Sequence, residues 1–329
     1  MTRIALDAMG GDHAPGEIVV GAVEAAVGIP SVKVLLVGQL APIQAELDKL
    51  PNDLKKSAQL AIEHGTLEIV DAPDVAEMDE SPVDAVRKKK DCSINVAMRL
   101  VKDGRADAFV SAGNSGAVAT SAILTLGRIP GVKRPAIATV MPNRTPRRPL
   151  VVLDAGANMD CHPEWLVQFA IMGNAYSKAV LKRTTPAIGL ISIGTEDCKG
   201  NEMTKQTFPL LKEVKDLNFV GNVVLKTTES IAKAIGYWLK RECFRGPWRI
   251  LGALLLKGAF RALKKQLDPE IYGGAPLLGV PGAVIIGHGS SSHKAIYYAV
   301  KAGVAAATND VSGLIAKSIA GYAEDQKQK

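Results

Sequence analysis

Two short loops combine glycines with polar residues, a composition that suits anion binding. The first loop places Gly10 and Gly11 directly before Asp12 and His13. The second loop contains Gly113, Asn114, Ser115 and Gly116. Glycine lets a ligand approach the backbone closely, and the free N–H groups at the start of a helix attract phosphate. Both loops are therefore candidate phosphate sites, although a tight turn with a helix cap would need the same residue types.

Three further loops carry charged or titratable side chains. Asp154 and Asn158 follow an apolar stretch, and carboxylates can orient a lysine or a histidine or bind a metal. Asn201 and Lys205 belong to a loop with two lysines, whose compact charge suits phosphate. His288 precedes three serines, which also fit a helix cap. A solvated loop would explain the residues around Asn201 and Lys205 equally well. No metal-ligating partner lies at a characteristic spacing, so no metal is expected.

Several well-known catalytic motifs are missing from these loops. None of them contains the G-x-G-x-x-G fingerprint, the P-loop or the G-x-S-x-G nucleophile turn. This argues against a nicotinamide dehydrogenase, a P-loop enzyme and a serine hydrolase. The four cysteines stand apart from one another, with no C-x-x-C spacing, which indicates reduced, mostly buried thiols rather than a zinc site. No cofactor is expected.

The elements that must position these loops alternate along the chain. Short Val-, Ile- and Leu-rich stretches predict strands at Arg3–Asp7, Val32–Val37, Leu67–Val70, Ala108–Ser111, Ala136–Val140, Leu150–Asp154 and Ala187–Ser192. Helices are predicted at Glu17–Val27, Pro42–Leu50, Ser115–Leu126 and Pro163–Val180. The alternation predicts an α/β fold with a doubly wound, mainly parallel sheet. Ligands in such folds bind beyond the carboxyl ends of the strands, where these loops lie.

Length and composition set the broad class. The chain has 329 residues, 47% of them apolar, which is enough for one α/β domain over 1–329. The sequence shows no signal peptide and no apolar run of about 20 residues, so a cytoplasmic protein is expected. The formal net charge is +7, and residues 240–265 carry eight cations and one acid. The rest of the chain is therefore neutral, which argues against a nucleic-acid partner.

The basic stretch at 238–266 is predicted to be a protruding amphipathic helical insertion. Its apolar stripe includes Trp248, Leu251 and Leu255, and its basic side contains Arg249, Lys257, Arg261 and Lys264. Basic residues opposite Trp and Leu are typical of a helix that lies on an anionic membrane. A core helix with a solvated basic face is the alternative explanation.

The loops also resemble, in order and over nearly the whole chain, the motifs of the PlsX family of phosphate acyltransferases. The resemblance includes Ile4–Pro15, Ser111–Ala117, Asp154–Cys161, Gly194–Lys205, Asn222–Glu229 and His288–Ser291. It implies a fold like that of isopropylmalate dehydrogenases and phosphotransacetylases, a homodimer, and peripheral association with the inner face of the cell membrane. It implies conversion of acyl carrier protein thioester and inorganic phosphate to acyl phosphate, without a cofactor. The basic stretch could equally attract the acidic carrier protein.

The resemblance also suggests roles for individual residues. By motif position, Lys199 and Asn222 correspond to the family's important lysine and asparagine. Phosphate is assigned to the turn Gly113–Gly116 with Lys199, assisted by Lys205, and Asn222 to the oxyanion or the phosphate. His13 and His288 are candidate proton donors, and Asp7, Asp154 and Asp160 are expected to orient the other groups.

One segment departs from the family pattern. Family members usually have two Gly-Asn-Val segments where this chain has one, Gly221–Val223. A strand with its turns, on the order of 20 residues, is therefore expected to be missing. The alternative function is a catalytically impaired homologue that binds the membrane and the carrier protein. A decarboxylating dehydrogenase shares the expected fold but would need cofactor motifs.

Overall fold

The fold is described from a computed structural model of the chain. It describes residues 1–142, 149–154, 158, 160–192, 200–224, 241–266 and 268–328, with the backbone alone at 224, 247, 248, 250, 260, 263–266 and 269. Lys199 therefore lies outside the described residues, as does most of the loop between Ser192 and Gly200. Of the predicted surface residues, Trp248 and Lys264 are described by their backbone only.

The part of the chain that the structure describes contains ten strands, in one large sheet and one small sheet. The strands are β1 Thr2–Asp7, β2 Val32–Gly38, β3 Leu67–Asp71, β4 Ala108–Ser111, β5 Ala136–Met141, β6 Leu150–Leu153, β7 Ala187–Ser192, β8 Asn218–Val224, β9 Ala275–Leu278 and β10 Ala283–Ile286. The large sheet has the order β3-β2-β1-β4-β10-β9-β5-β6, and β7 pairs with β8 in the small sheet. All seven predicted strands are confirmed with small shifts at their ends.

Strand direction divides the large sheet into two parts. The run β3-β2-β1-β4-β10 is parallel, whereas the pairs β10–β9, β9–β5 and β5–β6 are antiparallel. A short connection at 279–282 joins β9 to β10, and so short a link permits only antiparallel pairing. Following these directions across the sheet, β6 runs opposite to β1. The carboxyl end of β6 therefore lies at the edge where β1 begins.

Helices cover both faces of the large sheet. They are α1 Gly16–Gly28, α2 Leu40–Lys49, α3 Asn52–Glu63, α4 Pro82–Lys88, α5 Ser93–Lys102, α6 Ser115–Thr125, α7 Pro163–Ala179, α8 Glu202–Lys212, α9 Pro247–Leu255, α10 Lys257–Gln266, α11 His293–Thr308 and α12 Val311–Lys327. Side chains alternate along a strand, so Ile4 and Leu6 pack on one face, in a cluster with α1 and α11. Ala5 packs on the other face with α5 and α6. Two separate cores on one sheet confirm the predicted doubly wound arrangement.

Candidate active site

Three of the predicted loops meet at one edge of the large sheet. They follow β1, β4 and β10, which are adjacent and parallel, so their carboxyl ends lie side by side. The N–H of Asp12 donates to the Gly289 carbonyl at 2.8 Å. The N–H of Gly287 donates to the Ser111 carbonyl at 2.7 Å. Backbone hydrogen bonds thus hold the third loop against the first two.

Gly10 and Gly11 are glycines for two different reasons. A β-carbon on Gly10 would lie 2.4 Å from Asp7 Oδ2 and 2.6 Å from the Gly113 nitrogen, which leaves no room for any side chain. Gly11 has a φ of 114°, a conformation that other residues rarely adopt, and its β-carbon would lie 2.9 Å from the Gly289 oxygen. Glycine at position 10 thus permits the close approach of the first loop to the second, and glycine at position 11 permits its approach to the third.

The second loop presents backbone rather than side-chain donors. Asn114 Oδ1 accepts from the Ala117 N–H at 3.1 Å, and Asn114 Nδ2 donates to the carbonyls of Met78 and Glu80 at 3.1 and 3.2 Å. Its side chain therefore caps α6 and holds the neighbouring loop. Among the described residues, the N–H groups of Asn114, Ser115 and Gly116 have no hydrogen-bond acceptor. These N–H groups, at the positive end of the α6 dipole, can bind an anion.

The two candidate histidines of this edge are exposed. His288 Nδ1 lies 2.9 Å from Ser290 Oγ and accepts from the Ser290 N–H at 3.2 Å. Because Nδ1 is occupied as an acceptor, the neutral ring carries its proton on Nε2. His288 can therefore donate a hydrogen bond from Nε2. His13 and Asp12 lie on the first loop, and the Asp12 N–H donates to the carbonyl of Gly289, the residue after His288.

Asp7 lies beneath all of these groups and is completely buried. Its carboxyl accepts from the Ser111 hydroxyl at 2.6 Å and from the Met9 N–H at 3.1 Å. Burial raises the pKa of Asp7, while hydrogen bonds from Ser111, Ser93 and the N–H groups of Met9 and Gly10 partly oppose that rise. Ser93, the first residue of α5, and Ser111, the last residue of β4, were not singled out from sequence as site residues.

Asp154 and Asn158 lie away from this edge. Asp154 follows β6, at the edge where β1 begins, and has a left-handed φ of 59°. Its carboxylate accepts from Asn158 Nδ2 at 3.0 Å and from the Cys161 thiol at 3.4 Å. Burial and the neighbouring Asp154 raise the pKa of Cys161 to about 11. The expectation that the strand-end loops gather at one edge therefore does not apply to this loop, because the β5–β6 pairing is antiparallel.

The remaining candidates that the structure describes belong to β8 or to α8, the helix that follows β7. Asn201 Oδ1 accepts from the Thr204 N–H at 2.9 Å and so caps α8, on whose first turn Lys205 is exposed. Asn222 is buried in β8, where it pairs with Leu190 of β7. Lys199 belongs to the same β7–α8 loop but lies outside the described residues. These side chains thus belong to neighbouring elements, β7, β8 and α8.

The predicted amphipathic helix is two helices rather than one. A turn at Leu256 separates α9 from α10, and Leu251, Leu254, Leu255 and Leu256 are all exposed, Leu255 to 81%. Lys257 and Arg261 are exposed too, whereas Arg249 forms an ion pair with Glu242. In the part of the chain that the structure describes, no helix is long and apolar enough to cross a membrane. No group of three or more His, Cys, Asp or Glu side chains there could hold a metal.

Comparison with known proteins identifies relatives over most of the chain. The model of the fatty acid synthesis protein family matches residues 2–223 and 217–314. A phosphate acyltransferase of Desulfitobacterium hafniense is 45% identical over 324 aligned positions, covering 92% of each chain. A phosphate acyltransferase of Nostoc punctiforme is 44% identical over 331 positions, covering 94% of each chain.

The same comparisons bear on the segment that is expected to be missing near β8. Residues 217–223 belong to both of the ranges that the family model matches. In the first alignment, 92% of 329 residues is about 303, so about 21 of its 324 positions have no counterpart in this chain. In the second, 94% is about 309, which leaves about 22 of 331 positions. Both differences agree with the predicted loss of a strand and its turns.

Solved structures share the fold at low sequence identity. A phosphotransacetylase from Streptococcus pyogenes superposes with a TM-score of 0.61 at 16% identity, covering 93% of this chain and 94% of its own. A branched-chain phosphotransacylase from Enterococcus faecalis gives a TM-score of 0.55 at 12% identity, covering 93% and 99%. The phosphotransacetylase-like fold is thereby confirmed. With relatives above 40% identity over nine-tenths of its length, the chain belongs to the fatty acid synthesis protein family, the PlsX family of phosphate acyltransferases.

Proposed function

We propose that this chain is a phosphate acyltransferase that converts acyl carrier protein thioester and inorganic phosphate to acyl phosphate and free carrier protein. The observation that carries the proposal is the 45% identity to a phosphate acyltransferase over 92% of both chains. The site supports it, because an anion can bind at the start of α6, between the loops that follow β1, β4 and β10. The product would supply an acyl group for glycerol-3-phosphate acylation.

The reaction needs positioning more than it needs a protein nucleophile. A phosphate oxygen forms a bond to the thioester carbonyl carbon, and the C–S bond then breaks to release the carrier thiol. Holding the dianion beside the carbonyl supplies much of the rate acceleration. Hydrogen-bond donors that stabilise the developing oxyanion supply more. A thiol has a pKa near 8.5, so the leaving group needs little acid assistance.

The candidate residues divide between these two tasks. We assign the phosphate to the N–H groups of Asn114, Ser115 and Gly116, with Lys199 as its cationic partner and Lys205 in support. Asn222 is assigned to the oxyanion or the phosphate. A protonated His288 ring is our candidate donor of the proton that the leaving sulfur takes up, and His13 is the second candidate for that role.

Acyl phosphate formation by the purified chain tests the proposal, with the intact mass measured on the same sample. We expect turnover at the mass of the printed sequence, and at least a 100-fold loss in Lys199→Ala. Lys56→Ala is the matched control, since Lys56 is an exposed lysine of α3 far from these loops in sequence. A folded chain that binds nicotinamide and forms no acyl phosphate would instead favour the dehydrogenase alternative.

Absence of turnover in a chain that still binds carrier protein would favour the impaired homologue. The comparisons give no support to that alternative, since the two relatives described above carry the name phosphate acyltransferase. An unchanged rate in Lys199→Ala would remove Lys199 from the mechanism while leaving the activity itself intact.

We further propose that α9 and α10 bind the inner face of the cell membrane or the acidic carrier protein. The exposed leucines at 251, 254, 255 and 256 and the exposed cations Lys257 and Arg261 support this proposal. Each cation near an anionic surface contributes about 1 kcal/mol to binding. The chain is expected to act in the cytoplasm as a peripheral protein.

The family resemblance also leads us to propose a homodimer. Static light scattering at micromolar concentration is expected to give twice the mass of one chain. A mass equal to one chain over the whole concentration range would refute the dimer without affecting the proposed reaction.

A further inference from the structure

Asp7 is a buried acid to which the proposed reaction gives no contact with a substrate. It ends β1, has no exposed surface, and lies directly below the loop that contains Gly10 and Gly11. Its described hydrogen-bond partners are neutral: the hydroxyls of Ser111 and Ser93 and the N–H groups of Met9 and Gly10. A buried carboxyl is costly to keep without a partner charge, so its position requires an explanation.

The carboxyl connects two of the three loops through one serine. The Ser111 hydroxyl donates to Asp7 Oδ2 at 2.6 Å, and Ser111 Oγ accepts from the Gly113 N–H at 3.0 Å. On the other side, Asp7 Oδ1 accepts from the Met9 N–H. Each hydrogen bond in this series therefore has one direction. The Gly113 N–H donates to Ser111, and the Ser111 hydroxyl donates to Asp7.

This arrangement also divides the backbone N–H groups into those bound within the protein and those available to a ligand. The N–H groups of Met9, Gly10 and Gly113 are all directed inward, to Asp7 or to Ser111. The next three N–H groups, at 114–116, have no acceptor among the described residues. Because Gly113 is fixed from below, the backbone after it enters α6 in one orientation.

From this geometry, and resting on the proposed acyl transfer, we infer that Asp7 is a positioning residue for phosphate. Acting through Ser111, it holds Gly113 so that the N–H groups of Asn114, Ser115 and Gly116 converge on the anion. Asp7 itself touches neither substrate. Phosphate affinity should therefore depend on Asp7 more strongly than the chemical step does.

Asparagine at position 7 would disturb these hydrogen bonds, although its side chain has the same shape as that of aspartate. Asparagine has one acceptor oxygen and one NH2 donor. Met9 and Ser111 both donate to the carboxyl, so one of them would face the NH2 group. If the Ser111 hydroxyl reversed to accept from NH2, its oxygen would have to serve both that donor and the Gly113 N–H.

The test compares Asp7→Asn, Ser111→Ala and the double variant with the unchanged chain. For each we would measure kcat, the KM for phosphate, the KM for acyl carrier protein thioester, and the rise in melting temperature caused by inorganic phosphate. We expect both single variants to raise the phosphate KM at least tenfold. We expect kcat at saturating phosphate and the thioester KM to stay within threefold. The double variant should raise the phosphate KM no more than the single variant with the larger effect does, because both residues act through the same series of hydrogen bonds.

Asp107→Asn is the matched control. Asp107 lies 2.7 Å from Arg3, at the opposite end of the same pair of strands, β1 and β4. Its loss should lower the melting temperature slightly and leave the phosphate KM unchanged. A general loosening of β1 and β4 would instead raise the phosphate KM in this variant as well.

Three results would overturn the inference. The first is an unchanged phosphate KM in a folded Asp7→Asn or Ser111→Ala protein. The second is a double variant whose increase in phosphate KM equals the product of the two single increases. The third is a fall in kcat with the phosphate KM unchanged. If Asp7→Asn does not fold, Ser111→Ala decides the matter alone. A wild-type chain that neither turns over nor is stabilised by phosphate would refute the proposed function together with this inference. Turnover with phosphate affinity unaffected by both variants would refute the inference alone.

Discussion

At the scale of single residues, the contact between Gly10 and Gly113 is the tightest constraint on the candidate site. We expect Gly10→Ala to lower stability by about 1–3 kcal/mol, the usual effect of forcing an atom into a filled site. Asp7 Oδ2 and the Gly113 nitrogen, at 2.4 and 2.6 Å from the new β-carbon, would have to move. Urea unfolding measures the change, and the phosphate KM should rise in the same variant.

Gly321→Ala is the control for that measurement. Gly321 lies in α12, and a β-carbon there would have nothing within 4 Å. Alanine is the better helix former by up to about 1 kcal/mol, so this variant should be neutral or slightly more stable. Equal destabilisation by both substitutions would contradict the close packing described at Gly10.

Cys161 provides a second residue-scale prediction. Burial and Asp154 raise the pKa of this thiol to about 11, so little thiolate is present at pH 8. Iodoacetamide should therefore modify Cys161 slowly, as followed by peptide mass mapping. Asp154→Asn removes the negative charge 3.4 Å from the sulfur and should lower the thiol pKa, which increases the rate severalfold. The rate at Cys243 serves as the internal reference and should not change.

At this scale, the sequence predicts where the loops lie but not how their side chains are used. Glycines next to polar residues indicated the first two loops correctly. The bond between Asp7 and Ser111 joins residues 104 positions apart, and no local pattern reveals such a pair. Asn114 was a candidate for phosphate, yet its side chain is occupied by α6 and by the carbonyls of Met78 and Glu80. Which donors remain available is a property of the packed structure.

At the scale of elements, His293 connects α11 to α1. His293 Nδ1 lies 3.0 Å from Glu24 Oε2, and the hydrogen bond to Glu24 is the main reason why the pKa of His293 is raised. The negative charges of Glu17 and Glu270 also raise the pKa of His293. A raised pKa means that the charged histidine stabilises the fold fully below about pH 6.5. That contribution is lost as the pH rises through the higher value of the folded state.

Glu24→Gln should therefore lower the melting temperature at pH 6 and have little effect at pH 8.5. Both side chains are more than one-third exposed, so the effect is small, about 0.2–1 kcal/mol. Glu63→Gln, an exposed acid at the end of α3, is the control and should show no such dependence on pH. A larger effect of Glu24→Gln at pH 8.5 than at pH 6 would contradict the assigned ion pair.

The α9–α10 surface leads to a prediction about lipid binding. Vesicles containing anionic phospholipid should bind the chain in a sedimentation assay, and neutral vesicles should bind it weakly. Leu255→Glu should abolish binding, because Leu255 is 81% exposed and a carboxylate opposes both insertion and charge attraction. Leu60→Glu, at an exposed leucine of α3, is the control. Equal binding to neutral and anionic vesicles would refute the membrane proposal and leave the carrier protein as the partner.

Element types followed from sequence more readily than strand directions did. Buried strands such as β1, β2 and β4 are short, apolar and flanked by turns, and all three were predicted at the correct place. The strand β9 was not predicted, because Ala275–Leu278 is four residues long and follows two glycines. The break at Leu256 was also missed, since the apolar period continues through it. Antiparallel pairing of β5, β6 and β9 depends on their neighbours, which no single segment specifies.

At the scale of the whole molecule, the small sheet is where we expect the missing segment to belong. A two-stranded sheet is marginally stable by itself. The side chains of Ile191, Val220 and Val223 are exposed on β7 and β8, Val220 to 58%. A third strand in this position would cover apolar surface at about 25 cal/mol per Å². About 21 residues of the Desulfitobacterium relative have no counterpart in this chain, which is the length of one strand with its turns.

Grafting the relative's extra segment into 217–223 should therefore raise the melting temperature, as scanning calorimetry would measure. The control is an insert of equal length made of glycine and serine, which adds chain but no strand and should lower the melting temperature slightly. The same pair of proteins tests the impaired-homologue alternative through their turnover. Equal melting temperatures for the grafted and glycine–serine chains would show that the small sheet needs no further strand.

The order of strands β1, β4 and β10 also determines when the site can form during protein synthesis. Its three loops follow residues 7, 111 and 286, so the last loop is made long after the first two. At about 5–20 residues per second, the ribosome needs roughly 15–60 seconds to reach it. Until then the loops after β1 and β4 lack Gly287 and Gly289, their backbone partners from the β10 loop. Phosphate in the cell is therefore expected to stabilise the completed chain and to give little assistance to the nascent one.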